Sequence, residues 1–329
     1  MSKPKKVVVM GGGTGIFPVI RALRQLSTEI SCIVAVSDSG GSTGRIRDEF
    51  GFQPVGDLRQ SLAALAENNS DDWIRKILLY RFEKGDGLKG HNLGNLFLTA
   101  LQDMSSSTTE ALEIASRVLR IDGTVIPVTE SNVQLEIHYQ DGSTVIGEHT
   151  LDASAHQAGR ISKIELIPAA TLSPKAHSAI TSADLIIIGP GDYYASLMAT
   201  LAPQGIKEAF NHSQAPVAYI LNLMTRYTQT DGMTAQDHLR GIENAIGKKI
   251  EIVVANDAPV PAEILELYKK ELEYPVIDDL LDETHVIKTD LMTSTAAAIS
   301  VNDIAHRSIL RHDSQKIKTV LDKILHEHS

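Results

Sequence analysis

The chain has 329 residues, 43% of them hydrophobic and 22% charged, with a formal net charge of −10. That is ordinary globular composition, and a chain of this size can bury roughly 75% of the surface its unfolded form exposes, so it needs no staples. The acidic balance argues against a nucleic-acid partner, which calls for clustered Lys and Arg; the small group Lys3, Lys5 and Lys6 reads as a solvated lead-in.

In chain order, Val7–Met10 reads as a strand, Pro18–Leu26 as a helix and Ile30–Val36 as a second strand. This compact βαβ unit predicts a parallel sheet with a right-handed crossover. A glycine-rich loop, Ser39–Gly44, is followed by helical stretches near Asp57–Glu67, Asp71–Phe82, Leu93–Met104 and Thr108–Arg120, the last opened by a capping-box pattern at Ser107 and Glu110. Val133, Leu135, Ile137 and Tyr139 then alternate with polar residues, and Asp141-Gly142 supplies a hairpin-type turn. Residues 123–167 are therefore expected to form a small antiparallel β insertion. Leu185–Ile188 is an apolar strand suited to the inside of a parallel sheet. Strands at Val217–Leu221 and Ile250–Val254 alternate with helices at Ala235–Ala245 and Pro261–Leu272. Short strands near Val276 and Val286 and a helix after Asp313 complete the pattern. The expected fold is α/β: a Rossmann-like parallel sheet with helices on both faces and a small antiparallel β insertion, all within a single nucleotide-binding domain over 1–329.

Cys32 is the sole cysteine and lies in an apolar run, so no disulfide can form within the chain and a reducing, cytoplasmic compartment is expected. No apolar stretch approaches the roughly 18 residues that span a bilayer. The run Val7–Met10 is too short for a signal-peptide core.

The chemistry-bearing residues cluster at the ends of the expected strands. Gly11-Gly12-Gly13-Thr14-Gly15 follows the first strand, where glycines let a backbone turn tightly and bring N–H groups close to a phosphate. The run fits neither the dinucleotide fingerprint, whose third glycine falls on Ile16 or Pro18, nor a Walker A loop. A tight turn without ligand is the competing reading. Asp38, Ser39, Gly40, Gly41, Ser42 and Thr43 follow the second strand on the same sheet edge, where open α/β sheets bind ligands. Asp38 is a candidate for a ribose hydroxyl or a metal ion, and Ser42 and Thr43 for phosphate oxygens. Asp57 is a candidate helix N-cap, catalytic group or metal ligand, and Arg59, a cation in a first helical turn, would be compensated by an anionic ligand. His91 is a candidate general acid or phosphate ligand, with Asn92 and Asn95 beside it as ligand contacts. Gly189-Pro190-Gly191-Asp192 forms a third phosphate-compatible turn, Asn222 a base or sugar contact, and the polar run Arg311-His312-Asp313 a segment able to close over the site, with a solvated tail as the competing reading. Asp38 and Asp57 are the best candidates for a hydrated Mg²⁺.

Taken in order, Gly11-Gly12-Gly13-Thr14-Gly15, Asp38-Ser39-Gly40-Gly41-Ser42-Thr43-Gly44, Gly56-Asp57-Leu58-Arg59, Gly90-His91-Asn92-Leu93-Gly94-Asn95, Gly189-Pro190-Gly191-Asp192 and Asn222-Leu223-Met224-Thr225 resemble the gluconeogenesis factor (YvcK-like) family, a branch of the 2-phospho-L-lactate transferase (CofD-like) fold. The resemblance runs from Val7 to about Asp313. It implies a Rossmann-like core, binding of UDP-sugars such as UDP-N-acetylglucosamine, and a role in cell shape and morphogenesis on gluconeogenic carbon sources. The transferase branch joins a phospholactyl group from a guanosine diphosphate donor to a deazaflavin with Mg²⁺. This chain departs from that branch in carrying Asp38-Ser39 where paired aspartates are expected, and from the closer family in reading Arg226-Tyr227-Thr228-Gln229 after Thr225.

The leading expectation is a nucleotide-sugar-binding regulatory protein without established turnover, with a non-enzymatic role favoured. The alternatives are a Mg²⁺-dependent transferase using a nucleoside-diphosphate-linked donor, and an NAD(P)-binding protein with Asp38 at the ribose. Assembly into a homo-oligomer stays open.

Overall fold

The computed structural model describes residues 3–66, 73–148, 150–151, 160–280, 285–293 and 309–327; the expected helix limits at Glu67 and Asp71 lie outside them. The strands in chain order are β1 (Lys5–Gly11), β2 (Thr28–Val34), β3 (Thr124–Pro127), β4 (Gln134–Tyr139), β5 (Thr144–Ile146), β6 (Ile161–Ile167), β7 (Leu185–Ile188), β8 (Val217–Ile220), β9 (Ile252–Asn256) and β10 (His285–Thr289). Seven of them form one sheet in the order β10-β9-β8-β7-β1-β2-β3. All its pairings are parallel. The chain therefore builds outward from β1 through β2 to β3, returns to lay β7 on the other side of β1, and builds outward again. This is the doubly wound Rossmann order, whose direction of winding reverses between β1 and β7.

Residue type explains the layering. Val7–Met10 and Leu185–Ile188 are buried without a break. Successive strand side chains point to opposite faces, so an unbroken buried run requires cover on both sides of the sheet. The helices that supply cover in the first half are α1 (Phe17–Leu23), α2 (Gly41–Phe50), α3 (Gly56–Leu65), α4 (Trp73–Leu79), α5 (Leu93–Met104) and α6 (Thr108–Val118). In the second half the helices run over Pro174–Thr181, Tyr193–Met198 continuing into Ala199–Leu201, Ile206–His212, Ala235–Ile246, Ala262–Lys270 and Ser314–Glu327.

The antiparallel sheet predicted from the alternation is present, in the order β5-β4-β6. Leu135, Ile137 and Tyr139 face its buried side. Its turn is held by Asp141, whose Oδ1 accepts from the Ser143 amide at 2.8 Å.

Several local expectations shift. Gly41–Gly44 is the first turn of α2, between Gly40 and a left-handed Gly51 (φ 73°), so the glycine-rich loop after β2 is shorter than its composition suggests. Ser107 does cap α6 by accepting from the Glu110 amide. The Glu110 carboxylate, however, reaches back to the amide and hydroxyl of Ser106 instead of Ser107. Near Val276 there is no named strand, only an isolated bridge between Met224 and Pro275.

Candidate functional site

A crevice of about 1140 Å³ opens along the carboxyl edge of the sheet, beside the point where the winding reverses. Thr14 and Gly15 reach it from the loop after β1, Asp38 from the loop after β2, Asp57 and Arg59 from α3, and Pro190, Gly191 and Asp192 from the turn after β7. Asn222 to Arg226, after β8, and Arg311 and His312, before the last helix, complete that side. The three turns singled out in the sequence thus meet at one crevice, although the middle one contributes only Asp38. Among the residues whose exposure is described, Gly12, Gly13, Ser39, Gly40, Ser42, Thr43, His91, Asn95 and Gly189 do not line it.

The glycines of the first loop have a packing reason of their own. A Cβ on Gly12 would collide with Ser196 Oγ, one on Gly13 with Gln60 while lying 2.8 Å from the Asp57 carbonyl oxygen, and one on Gly15 with the Pro190 carbonyl. Their absent side chains let the loop seat between the start of α3 and the turn after β7, bringing the two halves of the sheet edge together. Some loop amides are also spent within the protein: Gly13 donates to Asp57, and Gly40 donates to Asp38 Oδ1 at 2.8 Å. In the turn after β7, Gly189 has φ 74°, and its peptide to Pro190 is cis.

Asp38 and Asp57 form the acidic floor. Burial raises the Asp38 carboxyl above its ordinary range, against the pull of the Gly40 amide, the Thr43 hydroxyl and the Arg59 and Arg47 charges. Burial, then the neighbouring Asp38 charge, push Asp57 up to about 7, with the Gly13 amide working the other way. Asp57 lies inside the first turn of α3, one residue past its start at Gly56; the N-cap position belongs to Val55. Arg59 is buried, donating to Asn95 Oδ1 at 2.8 Å and to the Leu78 carbonyl at 3.1 Å, so protein acceptors offset its cost near a helix start.

The Gly90–Asn95 segment plays mostly supporting parts. Asn92 is the N-cap of α5, accepting from the Asn95 amide, and also lines the crevice. Asn95 Nδ2 donates to Thr43 Oγ1 at 3.3 Å. His91 Nδ1 meets Ser42 Oγ at 3.2 Å, and burial followed by the Arg45 charge lowers its proton affinity. Between them these contacts join α2, α3 and α5 behind the crevice wall.

Residues the sequence reading passed over supply much of the lining. Arg75, Arg81 and Lys89 enter from α4 and the segment after it, and Tyr268 and Leu310 from the far end of the chain, beside His312 of the polar run expected to close over the site. Arg75 lies over the Phe17 ring at 5.3 Å. Buried His312 places Nε2 3.2 Å from the Leu221 carbonyl, and burial lowers its pKa to about 4, so it is neutral at pH 7. In a chain of net charge −10, Arg59, Arg75, Arg81, Lys89, Arg226 and Arg311 all face one crevice, with Asp38, Asp57, Glu83, Glu148 and Asp192 among its acids. Such a gathering of guanidinium groups suits an anionic ligand.

Among the described residues, no helix is long and apolar enough to cross a membrane. Residues 7–299 match the family model described as 2-phospho-L-lactate transferase CofD. The chain is 33% identical over 329 residues to the gluconeogenesis factor of Bacillus subtilis, covering 99% of this chain and 100% of that one. It is 36% identical over 322 residues to the gluconeogenesis factor of Halalkalibacterium halodurans, covering 97% and 96% respectively. A crystal structure of a UPF0052-family protein from Bacillus halodurans matches with a TM-score of 0.86 and 32% identity, over 98% of this chain and 99% of the other.

Proposed function

This chain belongs to the gluconeogenesis-factor family within the CofD-like proteins, and on that premise we propose that it binds a nucleotide-sugar of the UDP-sugar class and acts as a regulatory protein without turnover. The observation that carries the reading is the meeting of the β1 and β7 turns at the reversal of winding, in a crevice faced by several guanidinium groups. A diphosphate would lie over the packed Gly15 and Gly191 turns on their crevice side, with Arg226 and Arg311 toward its charges and Asn222 and His312 toward the sugar or base. Gly12, Gly13, Ser42, Thr43 and Asn95 then act by shaping the walls. The proposed setting is the cytoplasm, and the proposed role is support of cell shape during growth on gluconeogenic carbon sources.

Equilibrium titration with UDP-N-acetylglucosamine, beside guanosine and adenine nucleotides, tests this. Saturable uridine-selective binding supports the reading; no heat and no thermal shift at millimolar ligand refutes it.

A second reading is favoured by the two carboxylates on the crevice floor and by the CofD match. Mg²⁺ keeps several waters and takes one or two carboxylates plus phosphate oxygens. Asp38 and Asp57 fit that donor set, and the mutual charge that raises Asp57 is what a cation would relieve. The ion would supply charge neutralisation for a leaving phosphate. In a transferase of this kind Asp38 and Asp57 would be held ionised as ligands of the ion, and Arg59 would keep the floor from excess negative charge. Product analysis with nucleoside-diphosphate donors decides it, and undiminished turnover in Asp57→Ala removes Asp57 from the mechanism.

A further inference from the structure

The exposed face of the three-stranded sheet brings together a set of donors unrelated to the crevice. Glu136 and His138 lie two apart on β4 and so share a face. Glu165 on β6 is the direct cross-strand partner of Glu136. Two like charges at paired positions oppose sheet formation. Between them stands the His138 ring, whose Nε2 is 3.2 Å from Glu136 Oε2 and 3.1 Å from Glu165 Oε2. That nitrogen is shut off from solvent, with both carboxylate oxygens beside it. The other ring nitrogen, Nδ1, lies 3.3 Å from Thr144 Oγ1 on β5. A proton on Nδ1 directed to that hydroxyl leaves the Nε2 lone pair facing the two carboxylates, the arrangement by which metal-bound histidines are usually oriented.

We propose that Glu136, His138 and Glu165 form a binding site for a divalent transition metal of the zinc class. Metal bonds of about 2.0–2.2 Å at tetrahedral angles set donor atoms roughly 3.3–3.5 Å apart, close to the two distances from Nε2. The ligand atoms of all three residues lie within 4.8 Å of one another. One imidazole with two carboxylates suits zinc in preference to magnesium or calcium, which favour oxygen donors alone. Lys163 Nζ, 2.9 Å from Glu165 Oε2, competes for one ligand; its side chain is 56% exposed and free to swing into solvent when an ion arrives. Bound there, the ion cross-links β4 to β6 and cancels the glutamate repulsion. Cys32 is buried, so no accessible thiol offers a rival site.

Titration of metal-free full-length protein with Zn²⁺ alone tests this, with Co²⁺ absorption as a second readout. The expected result is one site per chain, with a visible Co²⁺ ligand-field band, weakened at least about tenfold in His138→Ala and in Glu165→Gln and unchanged in His326→Ala. Circular dichroism of each variant confirms that it is folded, and Glu136→Gln gives an independent removal of a ligand. Absence of Zn²⁺ binding by the unaltered protein, or equal binding by folded His138→Ala, overturns the proposal.

Discussion

Asn222 Nδ2 donates to the Gly191 carbonyl at 2.7 Å, tying the loop after β8 to the turn after β7 at the crevice wall. The Tyr219 hydroxyl donates to Oδ1 of the same side chain at 3.2 Å. Both polar ends of Asn222 are thus engaged within the protein while the residue lines the crevice. Asn222→Ala leaves a hydroxyl and a carbonyl short of partners, at about 1–3 kcal/mol. A lower urea midpoint with an unchanged slope, together with weaker ligand binding, is the expected outcome.

Gly13→Ala probes the seating of the first loop. Its methyl would meet Gln60 and stand 2.8 Å from the Asp57 carbonyl oxygen, so α3 must move. Overpacking of this kind costs typically 1–3 kcal/mol. Because Asp57 and Arg59 ride on α3, ligand affinity should fall along with the thermal midpoint, read by calorimetry and titration.

His312 makes stability depend on acid. Its pKa falls from 6.5 to about 4 on folding, so between those values the unfolded chain binds the extra proton. The stabilisation is complete above about pH 6.5 and is lost as pH falls toward 4, amounting to about 3 kcal/mol. His312→Gln should flatten that part of a stability–pH profile measured by urea unfolding.

Asp57 slopes the other way. With its pKa raised from 3.8 to about 7, the folded state holds the extra proton in that window. The associated stabilisation is present at low pH and disappears as pH rises through 7. Water in the crevice tempers the effect, so Asp57→Asn should gain on the order of 2 kcal/mol relative to the parent at pH 8, in chelator. The His312 and Asp57 slopes oppose each other between about pH 4 and 6.5, and the single variants should separate them. Millimolar Mg²⁺ should raise the parent's stability at pH 8 and leave Asp57→Asn unmoved, if the carboxylates hold the ion.

Local patterns made the sheets legible. The unbroken apolar runs Val7–Met10 and Leu185–Ile188 read as strands, the second suited to the inside of a parallel sheet, and the alternation through Tyr139 reads as a half-buried strand. Helix α2 was hidden because two of its first four residues are glycine, poor helix formers; the left-handed Gly51 that ends it was the signal available. In the site, turns at strand ends were readable because strand order follows from crossover rules. Arg75, Arg81 and Lys89 were not, because nothing local to those residues says that α4 and the segment after it fold over the same edge. Asp57 shows the limit within a motif: its place near a helix start was visible, whereas its burial beside Asp38 came only with the fold.

A crystal structure of the protein with UDP-N-acetylglucosamine tests the central claim most directly. The diphosphate should lie against the crevice side of the Gly15 and Gly191 turns, within reach of Arg226 or Arg311. Ligand density on another face, with those turns untouched, would contradict it.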